Sequence, residues 1–199
     1  MGEGTKQRKS ATIVTVFGSS RPREGDAHYL LARELGAELA SRGFTVCSGG
    51  YGGVMEAVSR GAKEAGGRTM GIVSAFFSSR ANSWIDEVIS TRSWQERLFA
   101  LIERGAGYVV CPGGTGTLVE LSVVWEMLNK RVMQTKPIVA LGHFWQPIIE
   151  RVREVETGHA AEWGEARERI IHHSGNAAEA ADYLARMLTE HGRQPARPK

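Results

Sequence analysis

A glycine-rich segment between an apolar run and a helical pattern constrains this chain more than any other feature. The segment is Pro112–Glu120, with the sequence PGGTGTLVE, and it follows the apolar run Gly107–Cys111. A strand, a glycine-rich turn and a helix start form an anion site, because unpaired backbone N–H groups and the positive end of the helix dipole point the same way. The segment therefore predicts a strand–turn–helix unit that holds phosphate. The residues expected to contact the phosphate are Gly113, Gly114, Thr115, Gly116 and Thr117.

The polar side chains of this segment allow more than one interpretation. Thr115 and Thr117 offer hydroxyl groups that can cap the following helix, and Glu120 falls in its first predicted turn. A carboxylate there can simply compensate the helix dipole. Beside a bound phosphate it can instead stabilise positive charge at a ribose C1′, act as a nucleophile, or take a proton from water.

Composition excludes several classes of protein. The 199 residues, 42% hydrophobic and 24% charged, suit one compact domain. The net charge is +3, and much of the excess lies near the two ends of the chain, which argues against a nucleic-acid partner. No apolar run approaches the ~20 residues of a membrane span, and no signal peptide is recognisable. We therefore expect a cytoplasmic protein without a membrane partner.

Two cysteines, Cys47 and Cys111, both lie in apolar runs. We expect buried thiols, because a disulfide framework or a zinc site needs more cysteines at ligand spacing. The spacing of the histidines supports no metal site either.

Apolar runs alternate with helical patterns along the chain. Strands are predicted at 11–17, 44–47, 69–73, 86–90, 107–111, 137–141 and 169–173, and helices at 28–42, 54–65, 94–103, 117–130, 144–156 and 177–190. This alternation predicts an α/β fold with a single doubly wound, Rossmann-like parallel sheet and helices on both faces. We expect residues 11–191 to form one nucleotide-binding domain between a disordered basic tail at 1–10 and a disordered tail at 192–199.

Three glycine-bearing breaks follow predicted strands, at Gly18–Pro22, Gly49–Gly53 and Pro112–Thr117. Ligands of such sheets bind at the carboxyl ends of the strands, where these breaks should meet. Ser19 and Ser20 can bind a sugar or base through their hydroxyls, or form an ordinary capped turn. The second break lacks a clean G-x-G-x-x-G and a following ribose-binding acid, which argues against a dinucleotide.

Arg97 lies on the predicted helix 94–103, just ahead of the strand that leads into the phosphate loop. A helix–strand crossover can bring its guanidinium to the mouth of that loop, where it would pair with phosphate or orient Glu120. The alternative is an ordinary surface arginine. The aromatic residues Phe76, Phe77 and Trp84 flank the 74–85 loop, where they can stack on a base or cover a subunit interface.

Together these motifs resemble the LOG (Lonely Guy) family. Pro112–Glu120 matches PGGxGTxxE, Glu96-Arg97 precedes it, a Gly-Ser-Ser loop follows the first strand, and a GG-x-GG-V-M turn follows the second. The resemblance spans about 12–141. It implies a phosphoribohydrolase that releases the base from a nucleoside 5′-monophosphate, with Arg97 and Glu120 as the catalytic pair. The residues it places on the nucleoside side are Gly18, Ser19, Ser20, Gly50 and Met55.

The chain also departs from the family pattern at three positions near these motifs. Leu98 stands where cytokinin-activating members have lysine, Val119 where they have a first glutamate, and Glu56 where they have the last glycine of GLMG. These changes leave Arg97 and Glu120 in place. They alter the surroundings of the pair, and they bear on the choice of base more than on the phosphate.

The expected activity is cleavage of the N-glycosidic bond of a purine nucleoside 5′-monophosphate, with an N6-modified adenine as one candidate base. It requires no metal or organic cofactor. The alternative is a non-catalytic carrier or sensor of a phosphate-bearing ligand, such as a nucleotide or molybdenum cofactor. The lysine decarboxylase label given to some members is disfavoured, because Lys63, Lys130 and Lys136 lie away from the loop edge.

Family members are commonly homodimers, and the resemblance implies the same here. A helical apolar stripe formed by Leu121, Val124, Trp125 and Leu128 suits a subunit interface or a monomer core equally well.

Overall fold

The computed structural model describes residues 11–78, 80–159 and 170–191. Its strands are β1 (Ile13–Phe17), β2 (Thr45–Ser48), β3 (Arg68–Ser74), β4 (Glu87–Thr91), β5 (Gly107–Val110), β6 (Ile138–Leu141) and β7 (Ile171–Ser174). Its helices are α1 (Ala27–Ser41), α2 (Val54–Glu64), α3 (Trp94–Arg104), α4 (Thr115–Asn129), α5 (Gln146–Gly158) and α6 (Ala177–His191). Each predicted strand and helix is present within a few residues of its expected bounds. The predicted tails at 1–10 and 192–199 lie outside the described residues.

All seven strands form one sheet in the order β4-β3-β2-β1-β5-β6-β7, and every neighbouring pair is parallel. The chain starts at the centre with β1, builds outward through β2, β3 and β4, and then returns to build β5, β6 and β7 on the other side. This is the doubly wound, Rossmann-like sheet predicted from the sequence. The reversal of direction lies between β1 and β5, where such folds open a crevice beyond the strand ends.

Helices cover both faces, as a parallel sheet with apolar strands requires. One core lies between the sheet and α1, α2 and α6, with Val14 and Val16 pointing into it from β1. The other lies between the sheet and α3, α4 and α5, and Phe17 points into it. Both cysteines are buried free thiols, as expected.

The apolar stripe of α4 belongs to the second core. Leu121, Val124, Trp125 and Leu128 are all buried against the sheet within this chain. The stripe is therefore core, and the homodimer stays a prediction that needs another surface. In the described part of the chain, no helix has the length and apolarity needed to cross a membrane.

Candidate active site at the carboxyl edge of the sheet

The three glycine-bearing loops meet at the carboxyl ends of β2, β1 and β5, and backbone hydrogen bonds join them. The Ser19 amide donates to the Pro112 carbonyl oxygen at 3.3 Å, and the Val54 amide donates to the Ser19 carbonyl oxygen at 2.8 Å. A Cβ at Gly18 would lie 2.4 Å from Val54 Cγ1, so only glycine allows this approach. The first loop is therefore held between the other two.

A cleft of about 740 Å³ opens between these loops, a size typical of small-molecule sites. Of the residues predicted from the sequence, the lining includes Gly18, Ser19, Ser20, Met55, Arg97, Gly114, Thr115, Gly116, Thr117 and Glu120. The predicted residues Gly50 and Gly113 are not part of the lining of this cleft. A Cβ at Gly113 would lie 2.2 Å from Thr117 Oγ1, so this glycine allows the tight start of α4.

The N-terminus of α4 forms one wall of the cleft. Its N-cap is Gly114, and in the described structure no side chain caps this helix and no acid occupies its first turn. The first intrahelical bond runs from the Leu118 amide to the Gly114 carbonyl oxygen at 3.0 Å. The amides of Thr115, Gly116 and Thr117 precede that bond, and such leading amides of a helix are available to an anion.

The N-terminus of α2 lies at the same edge but is less open to an anion. Its first amide, from Val54, donates to the Ser19 carbonyl oxygen, and Glu56 lies in its first turn. The Tyr29 hydroxyl lies 3.1 Å from Glu56 Oε1 and donates to it. The Glu56 carboxylate would repel an anion at the N-terminus of α2. The geometry therefore favours the N-terminus of α4 as the anion site.

The start of α4 corrects one detail of the sequence analysis. The helix was expected from Thr117, with Glu120 in its first turn and a threonine as cap. It begins at Thr115, with Gly114 as the N-cap and without a side-chain cap bond in the described structure, so Glu120 lies in the second turn. The prediction is wrong because it places Gly116 in the turn, although glycine costs a helix only about 0.5–1 kcal/mol relative to alanine and is not excluded from its first turn.

Arg97 reaches the cleft from α3. The Ser93 hydroxyl caps this helix by accepting from the Glu96 amide at 3.1 Å, while Glu96 Oε2 accepts from the Arg92 amide at 2.8 Å. This reciprocal capping fixes the start of α3 one turn before Arg97. The Ser-x-x-Glu pattern at Ser93–Glu96 was a readable signal for that helix start.

Arg97 is only 7% exposed. Its Nε donates to the Ile72 carbonyl oxygen at 2.8 Å and its Nη2 to the Gly49 carbonyl oxygen at 3.1 Å. A Cβ at Gly49 would lie 1.7 Å from that Nη2, so the guanidinium occupies space that another residue would fill. Burial lowers the pKa of Arg97, and the nearby Glu120 carboxylate partly offsets this effect.

Glu120 retains partial exposure to the cleft, but protein atoms surround much of its carboxyl group. Burial raises its pKa to about 7, and the positive charge of Arg97 acts in the opposite direction. A carboxyl group with this pKa exchanges a proton readily at neutral pH, which suits acid–base chemistry. Arg97 and Glu120, separated by most of α3, β5 and the glycine loop, thus line one cleft.

Sequence reasoning did not assign three further lining residues to the site, Arg21, Tyr51 and Trp94. Leu98, which it named as a departure near the predicted catalytic pair, also lines the cleft. Phe77 also lines the cleft, whereas Trp84 packs under the Arg60 guanidinium at 5.4 Å from its ring centroid. Among the described residues, no group of three or more His, Cys, Asp or Glu side chains could hold a metal ion.

The profile of the SLOG cluster4 family matches residues 11–177. The chain belongs to the SLOG cluster4 family. Several relatives of this SLOG cluster4 protein carry the name cytokinin riboside 5′-monophosphate phosphoribohydrolase, among them the following two. The one from Mycobacterium tuberculosis is 38% identical over 137 residues, which are 66% of this chain and 72% of the relative. The one from Arabidopsis thaliana is 27% identical over 198 residues, or 96% of this chain and 87% of the relative. The resemblance to the LOG family is thereby confirmed.

A solved structure shares the fold of this SLOG cluster4 protein. The molybdenum cofactor carrier protein of Chlamydomonas reinhardtii superimposes with a TM-score of 0.67 at 22% identity, covering 90% of this chain and 99% of the carrier. At this identity the likeness concerns the fold alone.

Proposed function

We propose that this protein is a phosphoribohydrolase that cleaves the N-glycosidic bond of a purine nucleoside 5′-monophosphate. The observation that carries the proposal is the meeting of three features in one cleft: an uncapped helix N-terminus, a buried arginine, and a carboxyl group with a pKa of about 7. The relatives named as phosphoribohydrolases support the same activity.

The α4 N-terminus takes the 5′-phosphate in this proposal. The leading amides and the helix dipole favour a doubly charged group there. Ser19 and Ser20 lie on the facing loop, where hydroxyl groups can bind the ribose. Met55, Leu98 and Trp94 supply apolar and aromatic surface for the base. Phosphate and base thus lie at opposite ends of the ligand, with C1′ between them.

Glu120 acts at C1′. As the C1′–N bond lengthens, the ribose gains positive charge, which an ionised carboxylate stabilises. Water then forms the new bond to C1′; its hydroxyl group goes to the sugar and its proton ends on the departing base. The products are free base and ribose 5-phosphate. The positive charge of Arg97 favours the ionised form of Glu120 and attracts the anionic substrate.

An assay with the purified protein tests the proposal. We expect incubation with AMP, or with an N6-substituted AMP, to release free adenine or the substituted adenine, separated from the nucleotide by chromatography. Ribose 5-phosphate should appear in equal amount. The matching adenosine nucleoside serves as control, because it lacks the phosphate that α4 is proposed to hold.

The alternative is a carrier of a phosphate-bearing ligand, a candidate that the fold likeness to a molybdenum cofactor carrier favours. A carrier would bind its ligand without turnover. Calorimetric binding of AMP together with unchanged nucleotide after long incubation would support the carrier and overturn the hydrolase.

A further inference from the structure

The guanidinium of Arg97 is supported by an aromatic ring as well as by carbonyl oxygens. Its central carbon lies 5.2 Å from the centroid of the Tyr51 ring and 6.0 Å from that of Phe77. It donates hydrogen bonds to the backbone oxygens of Ile72 and Gly49, and its Nη2 also donates to the Met55 sulfur at 3.8 Å. Tyr51 lies in the glycine-rich β2–α2 loop, where the sequence analysis assigned no role to it.

The Tyr51 ring is itself held in place. Its hydroxyl accepts from the Ser74 amide at 2.8 Å and donates to the Ser78 carbonyl oxygen at 2.9 Å. The Asn82 side chain donates to the Tyr51 carbonyl oxygen at 2.9 Å. The hydroxyl end of the side chain is thus held at the end of β3, and the Tyr51 backbone is held by Asn82. The face of the ring lies against the Arg97 guanidinium.

We propose that Tyr51 is a positioning residue, whose ring holds the Arg97 guanidinium in the cleft beside Glu120. A buried guanidinium over an aromatic face gains a favourable electrostatic contact that strengthens as water is excluded. Without the Tyr51 ring, the guanidinium keeps its hydrogen bonds but loses this aromatic face, so its position beside the carboxylate is less tightly held. The inference rests on the proposed function, because it takes Arg97 and Glu120 as the reacting pair, but its test does not require turnover.

The charged and titratable groups around the pair are few. Arg97 interacts electrostatically with Glu120, with the Tyr51 hydroxyl and with the Cys47 thiol. Glu120 has Arg97 as its charged neighbour, and Arg21 is a further cation in the lining of the cleft. Burial affects the ionisation of Glu120 most and the guanidinium second, so at unchanged burial the pKa of Glu120 rises as Arg97 moves away.

The experiment compares three variants by the titration of Glu120. The full-length protein is labelled with carboxyl-13C glutamate, and the Glu120 resonance is assigned by its loss in Glu120→Gln. Tyr51→Leu removes the ring and the hydroxyl, whereas Tyr51→Phe removes only the hydroxyl that anchors the end of β3. Trp84→Leu is the matched control, because it removes the ring beneath Arg60, a cation–aromatic contact away from the cleft.

We expect the pKa of Glu120 to rise above its wild-type value in Tyr51→Leu and to stay unchanged in Tyr51→Phe and Trp84→Leu. An equal rise in the Leu and Phe variants would assign Tyr51 the role of a loop anchor and overturn the proposal. An unchanged pKa in all three would overturn it as well. Thermal unfolding checks that each variant folds, and Tyr51→Met replaces the Leu variant if that one does not.

Kinetics provide the second readout. If the protein hydrolyses AMP, Tyr51→Leu should lower kcat about tenfold with little change in KM, because small misplacements of a reacting group are costly. Tyr51→Phe should keep most of the wild-type kcat, because it keeps the ring. The titration decides the inference even if no hydrolysis occurs, so a failure of the proposed function and a failure of this inference are distinguishable.

Discussion

At Glu120, burial and a neighbouring positive charge act on the same carboxyl group in opposite directions, and burial dominates. Since the proposed chemistry needs the ionised form, kcat/KM for AMP should rise with pH through about 7 and level off above it. A pH–rate profile measures this. A rate that falls as pH rises through this range would contradict the role of Glu120 as a carboxylate.

The same raised pKa has a consequence for stability. A carboxyl group whose pKa is higher in the folded than in the unfolded protein stabilises the fold at low pH, and this contribution is lost as pH rises through the folded pKa, here about 7. Glu120→Gln should therefore melt at a higher temperature than the wild type above neutral pH. The difference in melting temperature between the two proteins should shrink as pH falls below the pKa of glutamate in the unfolded protein.

Gly49 leaves the space that the Arg97 guanidinium occupies. Its added methyl group would overlap the guanidinium, so Gly49→Ala should lower kcat/KM by about 100-fold while the sheet stays folded. Gly158→Ala is the control, because a Cβ at Gly158 in α5 meets nothing within 4 Å. Steady-state kinetics and circular dichroism compare the two, and normal activity in Gly49→Ala would contradict the placement of Arg97.

At the scale of elements, α2 and α4 start at the same edge with opposite electrostatics. The first turn of α2 contains Glu56, whereas that of α4 contains no acid in the described structure. Thr115→Asp would give α4 a carboxylate of its own, and it should weaken AMP binding about tenfold through like-charge repulsion at the helix N-terminus. Calorimetry measures the affinity. Ser122→Asp, further along the exposed face of α4, should bind AMP like the wild type.

The elements also show where sequence reasoning was sufficient and where it was not. Apolar runs such as Gly107–Cys111, which contains β5 (Gly107–Val110), predicted the strands well, because strands of a parallel sheet are buried on both faces and need continuous apolar sequence. The start of α4 was missed, since glycine is used in both turns and helix ends. The start of α3 at Trp94 was predicted correctly, and the capping pair of Ser93 and Glu96 is a sequence signal that agrees with it.

For the whole molecule, the order of elements predicted the doubly wound sheet, and the motifs predicted that Arg97 and Glu120 line one cleft. Tyr51, Trp94 and Arg21 were not predicted. Their places depend on how the loops after different strands pack against each other, and that packing has no local pattern in the sequence. Burial of Glu120, which raises its pKa, likewise depends on tertiary structure.

The burial of the α4 stripe leads to a prediction about the whole fold. Leu121 is 1% exposed in the core between the sheet and α4. Leu121→Ala should therefore lower the free energy of unfolding by about 2–5 kcal/mol. Sedimentation should show the same oligomeric state as in the wild type, whichever state that is. Dissociation of an oligomer without a loss of thermal stability would contradict the assignment of this stripe to the core.

The central claim is that Glu120 takes part in cleaving the glycosidic bond in a cleft that binds the nucleotide independently of it. The most direct measurement compares wild type and Glu120→Gln, with free base followed by chromatography and AMP binding by calorimetry. We predict that the variant binds AMP with nearly wild-type affinity and releases no free base. Release of base by Glu120→Gln at the wild-type rate would contradict the account.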